Sequence, residues 1–142
     1  MYNLRMWTLD IVAGEGRVGN EAGGNGLETT QLSNFTATSD NSGAKELWRG
    51  PWAGISRTNW ILTNIDKSPK ISDAKKTQYK GEAHFLRGLY YFNLVRLFGD
   101  VPWIDKQQTA SDDLQVSRTS KDIVYQHIID DFSDAASMLP AG

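Results

Sequence analysis

Residues 81–102 decide the fold class, and they read GEAHFLRGLYYFNLVRLFGDVP. Apolar side chains recur in this stretch at intervals of three and four residues, which predicts an amphipathic helix and not a strand. Ser72 is a suitable N-cap, and Gly99 followed by Pro102 is typical of a helix that ends in the left-handed conformation. We therefore predict one helix over 72–98, roughly 40 Å long at about 1.5 Å per residue.

Two further helices are predicted, one on each side of this central helix. The first covers 44–66, and Pro51 either kinks it or marks its first turn. The second runs from Ser120 to Pro140. The faces predicted to be buried are Trp48, Trp52, Ile55, Asn59 and Leu62 in the first helix, and Val124, Ile128, Phe132, Ala135 and Leu139 in the second.

The apolar face of the central helix is unusually wide, which predicts a core position with several packing neighbours. The sequence thus predicts an all-α fold of long helices in antiparallel pairs. Two neighbouring helices cannot cover a helix of this length, so we expect further helices in a longer protein. The central face consists of Tyr79, Ala83, Leu86, Tyr90, Leu94 and Leu97, widened by Phe85, Leu89, Phe92 and Phe98.

Residues 1–43 differ in composition from the rest of the chain. Six of the 13 glycines lie between Gly14 and Gly26, and 27–43 is rich in Thr, Ser and Asn. Such sequence resists regular structure, so we predict a long Gly/Ser/Thr-rich loop near the N-terminus, with 27–43 at the surface. Residues 14–19 match G-x-G-x-x-G, but the glycines that follow argue against the helix that a dinucleotide site needs at this point.

The composition excludes several classes of function. The chain has 142 residues, a net charge of −2 and no cysteine, which argues against nucleic-acid binding and removes thiolate chemistry. His127 has Asp130 and Asp131 on one helix face, a pattern more typical of surface ion pairs than of a metal site. No nucleophile elbow or paired-carboxylate spacing is present. We expect no catalytic residue, no metal and no cofactor.

Aromatic residues in predicted loops are the better candidates for ligand binding. Phe35 and Trp103 both lie in predicted connections. A loop ring flanked by Asn and Asp side chains can stack on a sugar and bind its hydroxyl groups. Alternatively, Phe35 anchors its loop to the helices. The candidate ligand-binding residues are Asn34, Phe35, Asp40 and Asn41.

The stretch over 81–102 resembles the signature segment of the SusD-like (RagB/SusD) nutrient-binding proteins. Two other blocks agree with that family in order and spacing. The first resembles its W-x3-Y-x2-I-x3-N helix, with Trp52 in place of the Tyr. The second resembles its Y-x2-I-x2-D-L-x2-A-x3-L-P helix, with Phe132 in place of the Leu. These blocks comprise Trp48, Trp52, Ile55 and Asn59, and Tyr125, Ile128, Asp131, Phe132, Ala135, Leu139 and Pro140.

The resemblance implies a tetratricopeptide-like all-α fold and a binding protein without enzymatic activity. Members of the family are outward-facing lipoproteins of the outer membrane that capture glycans for a TonB-dependent SusC-like transporter. Residues 1–142 would then be the N-terminal helical part of a longer protein, loop-rich over 1–43 and helical over 44–142. A lipid anchor outside this chain would attach it to the membrane. The alternative is a helical-repeat module that binds protein or peptide only.

Arg87 is a cation within a mostly apolar helix. A buried guanidinium needs a carboxylate partner, because an unpaired buried charge is costly. We hypothesise that Arg87 pairs with Asp131 of the last helix.

Overall fold

The computed structural model describes residues 7–15, 27–112 and 115–140. Within them the chain forms five α-helices and one short 3₁₀ turn, with a single isolated β-bridge between Val101 and Thr119. The glycine-rich stretch over 16–26 lies outside the described residues. The elements are α1 (Trp7–Val12), α2 (Leu27–Ser33), α3 (Ser42–Asn64), the 3₁₀ turn (Ile65–Lys67), α4 (Asp73–Phe98) and α5 (Lys121–Met138).

The chain divides into two compact units, residues 1–50 and residues 51–142. In the first unit α1 contacts α2, and Ile11 and Thr29 are buried. Helix α2 lies within the stretch that the sequence predicted to be a surface loop. That prediction is wrong for Leu27–Ser33, where tertiary contacts with Asn41 stabilise a short helix of low intrinsic propensity.

In the second unit α4 packs along α5 in antiparallel orientation. Gly81 faces Met138 and Leu139 at one end of the pair, and Gly88, about two helical turns further along α4, faces Phe132. A side chain at either glycine would need its neighbour to shift, so the two helices approach closely at these points. The core of this unit consists of Ile55, Ala83, Tyr91, Leu94, Val95, Val101, Val124, Ile128 and Ala135.

The predicted helix ends are confirmed for α4 and α5. Ser72 and Ser120 are the N-caps, and Gly99 has a φ of 68° directly after α4. Its ψ of −127° places Gly99 outside the left-handed helical region that the sequence predicts, in a conformation that glycine adopts far more readily than any residue with a side chain. Pro51 lies inside α3, nine residues after its start, so the alternative in which Pro51 marks the first turn is wrong.

The core face of α4 differs in part from the predicted one. Ala83 and Leu94 are buried as expected, and so are Arg87 and Tyr91 on the same side. Two residues of the predicted central face, Tyr79 and Leu86, are instead exposed. Phe85 and Phe92, which were predicted to widen that face, are exposed as well. None of the described helices is long and apolar enough to cross a membrane.

Candidate functional site

The loop after α2 contains the predicted ligand-binding residues, and Asn41 holds it in place. Asn41 is the N-cap of α3, because its Oδ1 accepts a hydrogen bond from the Ala44 amide at 3.1 Å. Its Nδ2 donates to the Glu28 carbonyl and to Gln31 Oε1, both at 2.9 Å. The side chain is 3 % exposed. Asn41 therefore ties α2 to the start of α3, and all its side-chain polar atoms are used within the fold.

Phe35 occupies the left-handed position that closes α2. Its φ is 55°, its amide donates to Leu32 O at 3.3 Å, and the next amide, of Thr36, donates to Gln31 O at 2.9 Å. This pair of bonds is a Schellman motif, in which glycine usually occupies the position of Phe35. The ring is 76 % exposed. The loop thus presents a bulky ring to solvent on a backbone conformation that a side chain disfavours.

Asn34 and Asp40 are exposed on the same loop as Phe35. The Asn34 amide donates to Thr30 O at 3.0 Å, as part of the end of α2. The carboxylate of Asp40 accepts a hydrogen bond from Lys45 Nζ at 3.1 Å, and this pair lies at the surface. The loop therefore exposes an aromatic ring, an amide and a carboxylate to solvent.

The second unit contains a buried polar network centred on Arg87. Its Nε donates to Asp131 Oδ2 at 2.8 Å and its Nη2 donates to Asp131 Oδ1 at 2.7 Å. The predicted pair is thereby confirmed, in the bidentate geometry that the guanidinium favours. Nη1 donates to Asn59 Oδ1 at 3.0 Å and to the Asp105 carbonyl at 2.9 Å. Arg87 thus joins α4 to α3, to α5 and to the connection after α4.

Asp131 has a second partner in His84, whose Nδ1 donates to Oδ1 at 2.7 Å. Burial by itself would raise the pKa of Asp131, but the hydrogen bonds and positive charge of Arg87 and His84 outweigh it. The pKa of this carboxyl therefore lies below its usual range. The ionised form is the one that the fold stabilises.

Asn59 and Tyr91 hold the 104–106 segment through its main chain. Asn59 Nδ2 donates to the carbonyl of Ile104 at 2.8 Å and to that of Lys106 at 3.3 Å. The Tyr91 hydroxyl donates to Ile104 O at 3.1 Å and accepts from Ile104 N at 2.7 Å. Burial raises the pKa of Tyr91 well above its usual value, so the hydroxyl remains a donor. A cleft of about 280 Å³ lies beside this segment, lined in part by Trp103, Ile104 and Lys106.

Sequence reasoning missed most of this network, although one signal was present. His84, Arg87 and Tyr91 are spaced by three and four residues, so they form a polar stripe along an otherwise apolar helix. Such a stripe indicates buried hydrogen bonds, because unsatisfied polar groups are rare in a core. The atoms that bind this stripe lie on other elements, and the spacing of residues along α4 does not reveal them.

The structure corrects the predicted environment of His127. Its ring stacks on Trp103, with centroids 4.4 Å apart and planes 16° apart, and Trp103 also contacts Tyr91 at 4.2 Å. The surface ion pair that the sequence favoured for His127 with Asp130 or Asp131 does not involve Asp131, whose carboxylate binds His84 and Arg87 of α4. The carboxylate of Asp130 accepts from Gln126 instead. With two rings within 4.4 Å of its indole, Trp103 is packed as part of the fold.

The sequence and the structure of this chain both resemble those of known proteins. Residues 5–142 match the model of the SusD-like family described as starch-binding and associating with the outer membrane. SusD-like protein P2 of Formosa agariphila is 33 % identical over 111 residues, which are 78 % of this chain and 22 % of that protein. SusD-like protein P25 of the same organism is 27 % identical over 63 % of this chain and 17 % of its own length.

Two solved structures show the likeness in three dimensions. A laminarin-binding SusD-like protein superimposes with a TM-score of 0.82 at 28 % identity, covering 94 % of this chain and 29 % of its own. A SusD-superfamily protein of Parabacteroides distasonis gives a TM-score of 0.81 at 28 % identity, covering 94 % and 28 %. These structures and the α4–α5 pair confirm the predicted all-α fold of tetratricopeptide-like helix pairs.

The chain belongs to the SusD-like family, because the family model covers nearly all of its length. The chain spans only about a fifth of the length of the curated relatives that it matches.

Proposed function

We propose that this chain is the N-terminal part of a longer SusD-like protein that captures glycans at the outer cell surface without covalent chemistry. The captured glycan passes to a TonB-dependent SusC-like transporter, and a lipid anchor outside this chain holds the protein on the outer membrane. The observation that carries the proposal is the likeness to the laminarin-binding SusD-like protein, at a TM-score of 0.82 and 28 % identity.

Phe35 is the residue that we propose to contact the glycan. Its ring is 76 % exposed, and the Schellman motif fixes its backbone in a conformation that glycine would adopt with less strain. Residues held in strained backbone conformations of this kind cluster at binding sites, where the surrounding structure keeps them in place. Asn34 and Asp40 supply hydrogen-bonding groups on the same loop. Asn41 positions the loop through the hydrogen bonds of its buried side chain.

Affinity electrophoresis tests this proposal. The wild-type chain runs through native gels that contain laminarin, starch or another polysaccharide, beside the Phe35→Ala variant. Leu27→Ala is the matched control, because Leu27 is 72 % exposed in the same unit and is equally apolar. We expect one glycan to retard the wild type and the control. Phe35→Ala should bind that glycan roughly two- to tenfold more weakly, as expected for the loss of one stacking contact.

The outcomes separate the parts of the proposal. Equal retardation of Phe35→Ala and wild type would remove Phe35 from the site and leave glycan capture standing. No retardation of the wild type by any glycan, with the complete protein tested in parallel, would overturn glycan capture and favour the protein-binding alternative. Transfer to a transporter is tested separately, by co-purification of a TonB-dependent transporter with the complete protein from detergent-solubilised outer membranes.

A further inference from the structure

The cleft beside the connection after α4 combines an apolar wall with several polar side chains. It has a volume of about 280 Å³ and lies in the second unit, whereas Phe35 lies in the first. Concave surfaces of this composition are the usual binding sites of small molecules. The apolar lining residues are Trp103, Ile104 and Val116. The polar lining residues are Asp105, Lys106, Gln108 and Asp112.

The fold holds the main chain of this wall and leaves most of its polar side chains unengaged. Five hydrogen bonds from buried side chains of α3 and α4 fix the main chain of residues 104–106. The side chains of Asp105, Lys106 and Gln108 are exposed, and none of them forms a hydrogen bond or an ion pair with a residue that the structure describes. These three side chains are therefore available to a ligand.

Two other lining residues are held in position by their neighbours. The Trp103 ring stacks on His127 at a centroid distance of 4.4 Å and contacts the Tyr91 ring at 4.2 Å. Asp112 Oδ2 accepts hydrogen bonds from the Thr109 amide at 2.6 Å and from the Thr109 hydroxyl at 2.8 Å. Groups that are fixed before binding lose little conformational freedom when a ligand arrives, which favours affinity.

The charges of the lining side chains indicate the class of ligand. The carboxylates of Asp105 and Asp112 are balanced by a single ammonium group, that of Lys106, so the described lining has a net negative charge. A carboxylate only accepts hydrogen bonds, and the adjacent hydroxyl groups of a sugar are suitable donors. An anionic sugar would be repelled by the net charge of this lining.

We propose that this cleft is a second glycan subsite, which binds roughly one or two rings of a neutral sugar. Asp105 accepts hydrogen bonds from the sugar hydroxyls, Lys106 donates to their oxygens, and Trp103 contacts an apolar part of a ring. This inference rests on the proposed glycan capture and adds to it a place of contact outside the loop of Phe35 and a charge class for the ligand.

Affinity electrophoresis of the complete protein that contains this chain tests the subsite. The gels contain laminarin, starch or galactomannan as neutral polysaccharides, or alginate as an anionic one, and we expect retardation only by a neutral polysaccharide. Asp105→Asn should bind that polysaccharide roughly three- to tenfold more weakly, because it loses the charge that strengthens the hydrogen bonds. Asp122→Asn is the matched control and should bind like the wild type, because Asp122 is an exposed carboxylate that does not line the cleft.

A second pair of variants tests the cation of the cleft. Lys106→Met should weaken binding by a similar factor, whereas Lys70→Met should not, because Lys70 is exposed outside the cleft. Asp105→Asn and Lys106→Met should also keep the midpoint of thermal unfolding within about 2 °C of the wild type. A larger loss of stability would contradict the inference that the fold does not use these side chains.

The binding results separate this inference from glycan capture itself. Retardation of the wild type by a neutral polysaccharide, with equal binding of Asp105→Asn and Lys106→Met, would overturn the subsite and leave glycan capture standing. Retardation by alginate alone would overturn the neutral class of ligand, and again leave capture standing. No retardation by any polysaccharide would overturn both glycan capture and the subsite that rests on it.

Discussion

At the scale of single residues, Arg87 connects α4 to three other parts of the second unit. Its four hydrogen bonds reach Asn59 on α3, Asp131 on α5 and the carbonyl of Asp105. The desolvation cost of two buried charges offsets much of their attraction, so the pair specifies the arrangement of the helices more than it adds net stability. Removing one partner, in contrast, destabilises the fold strongly, because the other charge then stays buried and unpaired.

A double-mutant cycle on the buried pair should show strong coupling. We expect Arg87→Met and Asp131→Leu each to lower the free energy of unfolding by about 3–5 kcal/mol, and the double variant to lose less than the sum. Lys80 and Asp66 are the control pair, with the same 2.7 Å separation of nitrogen and oxygen but at the surface. Their coupling should be about 0–1 kcal/mol. Urea unfolding measures all of these values, and equal coupling in the two pairs would contradict the assigned role of Arg87.

Because the pKa of Asp131 is lowered in the folded chain, the stability of the fold should decrease as the pH becomes acidic. The carboxyl has a pKa near 3.9 in the unfolded chain and a lower one in the folded chain. Between these values the unfolded state binds more protons, so this contribution is complete above about pH 4 and is lost as the pH falls. The free energy of unfolding, measured between pH 2 and pH 6, should fall with acidification less steeply in Asp131→Asn than in the wild type.

Asp112 is the comparison for that measurement. Hydrogen bonds from the amide and hydroxyl of Thr109 also lower its pKa, but the group lies in an exposed turn of the connection after α4. Asp112→Asn should therefore keep the acid sensitivity that comes from Asp131. Identical pH profiles for the wild type and Asp131→Asn would show that the network contributes nothing to this sensitivity.

At the scale of elements, the helices that depend on local signals were predictable and the one that depends on tertiary contacts was not. Helices α4 and α5 have long apolar faces, serine N-caps and, for α4, a terminal glycine. Helix α2 has seven residues, only two of them large and apolar, and its sequence LETTQLS favours a loop. Its stability comes partly from the Asn41 amide, which lies beyond the helix and gives no signal inside it.

The end of α2 provides a prediction of its own. Phe35→Gly should raise the free energy of unfolding by about 1 kcal/mol, because glycine adopts the left-handed conformation without a steric penalty. Phe35→Ala keeps that penalty, and the exposed ring contributes little packing, so its stability should stay close to that of the wild type. Both variants should lose the proposed glycan contact. Chemical unfolding checks the first statement, and a destabilised Phe35→Gly would mean that the ring anchors the loop.

At the scale of the whole molecule, the sequence was sufficient for the fold class and insufficient for the site. Periodicity identified the helix pair, because the apolar faces show which residues must be buried. The Arg87–Asp131 pair was hypothesised from the need of a buried guanidinium for a carboxylate, and the structure confirms it. The wide apolar face of α4 was predicted to be core, but Phe85 and Phe92 are partly exposed within the chain. Periodicity reports that a surface is apolar and cannot report which neighbour covers it. The four candidate residues on the loop before α3 stay predictions until a glycan is tested.

The anchoring of the 104–106 segment has a consequence for how such a protein can diversify. Asn59, Arg87 and Tyr91 bind this segment through its carbonyls and one amide and make none of these bonds to its side chains. Its path is therefore independent of which side chains it carries, and the wall of the neighbouring cleft can change by single substitutions while the helices stay as they are. Proline at position 104 is the exception, because Ile104 supplies the amide that Tyr91 accepts. A substitution that changes a side chain of this wall therefore leaves these five hydrogen bonds in place.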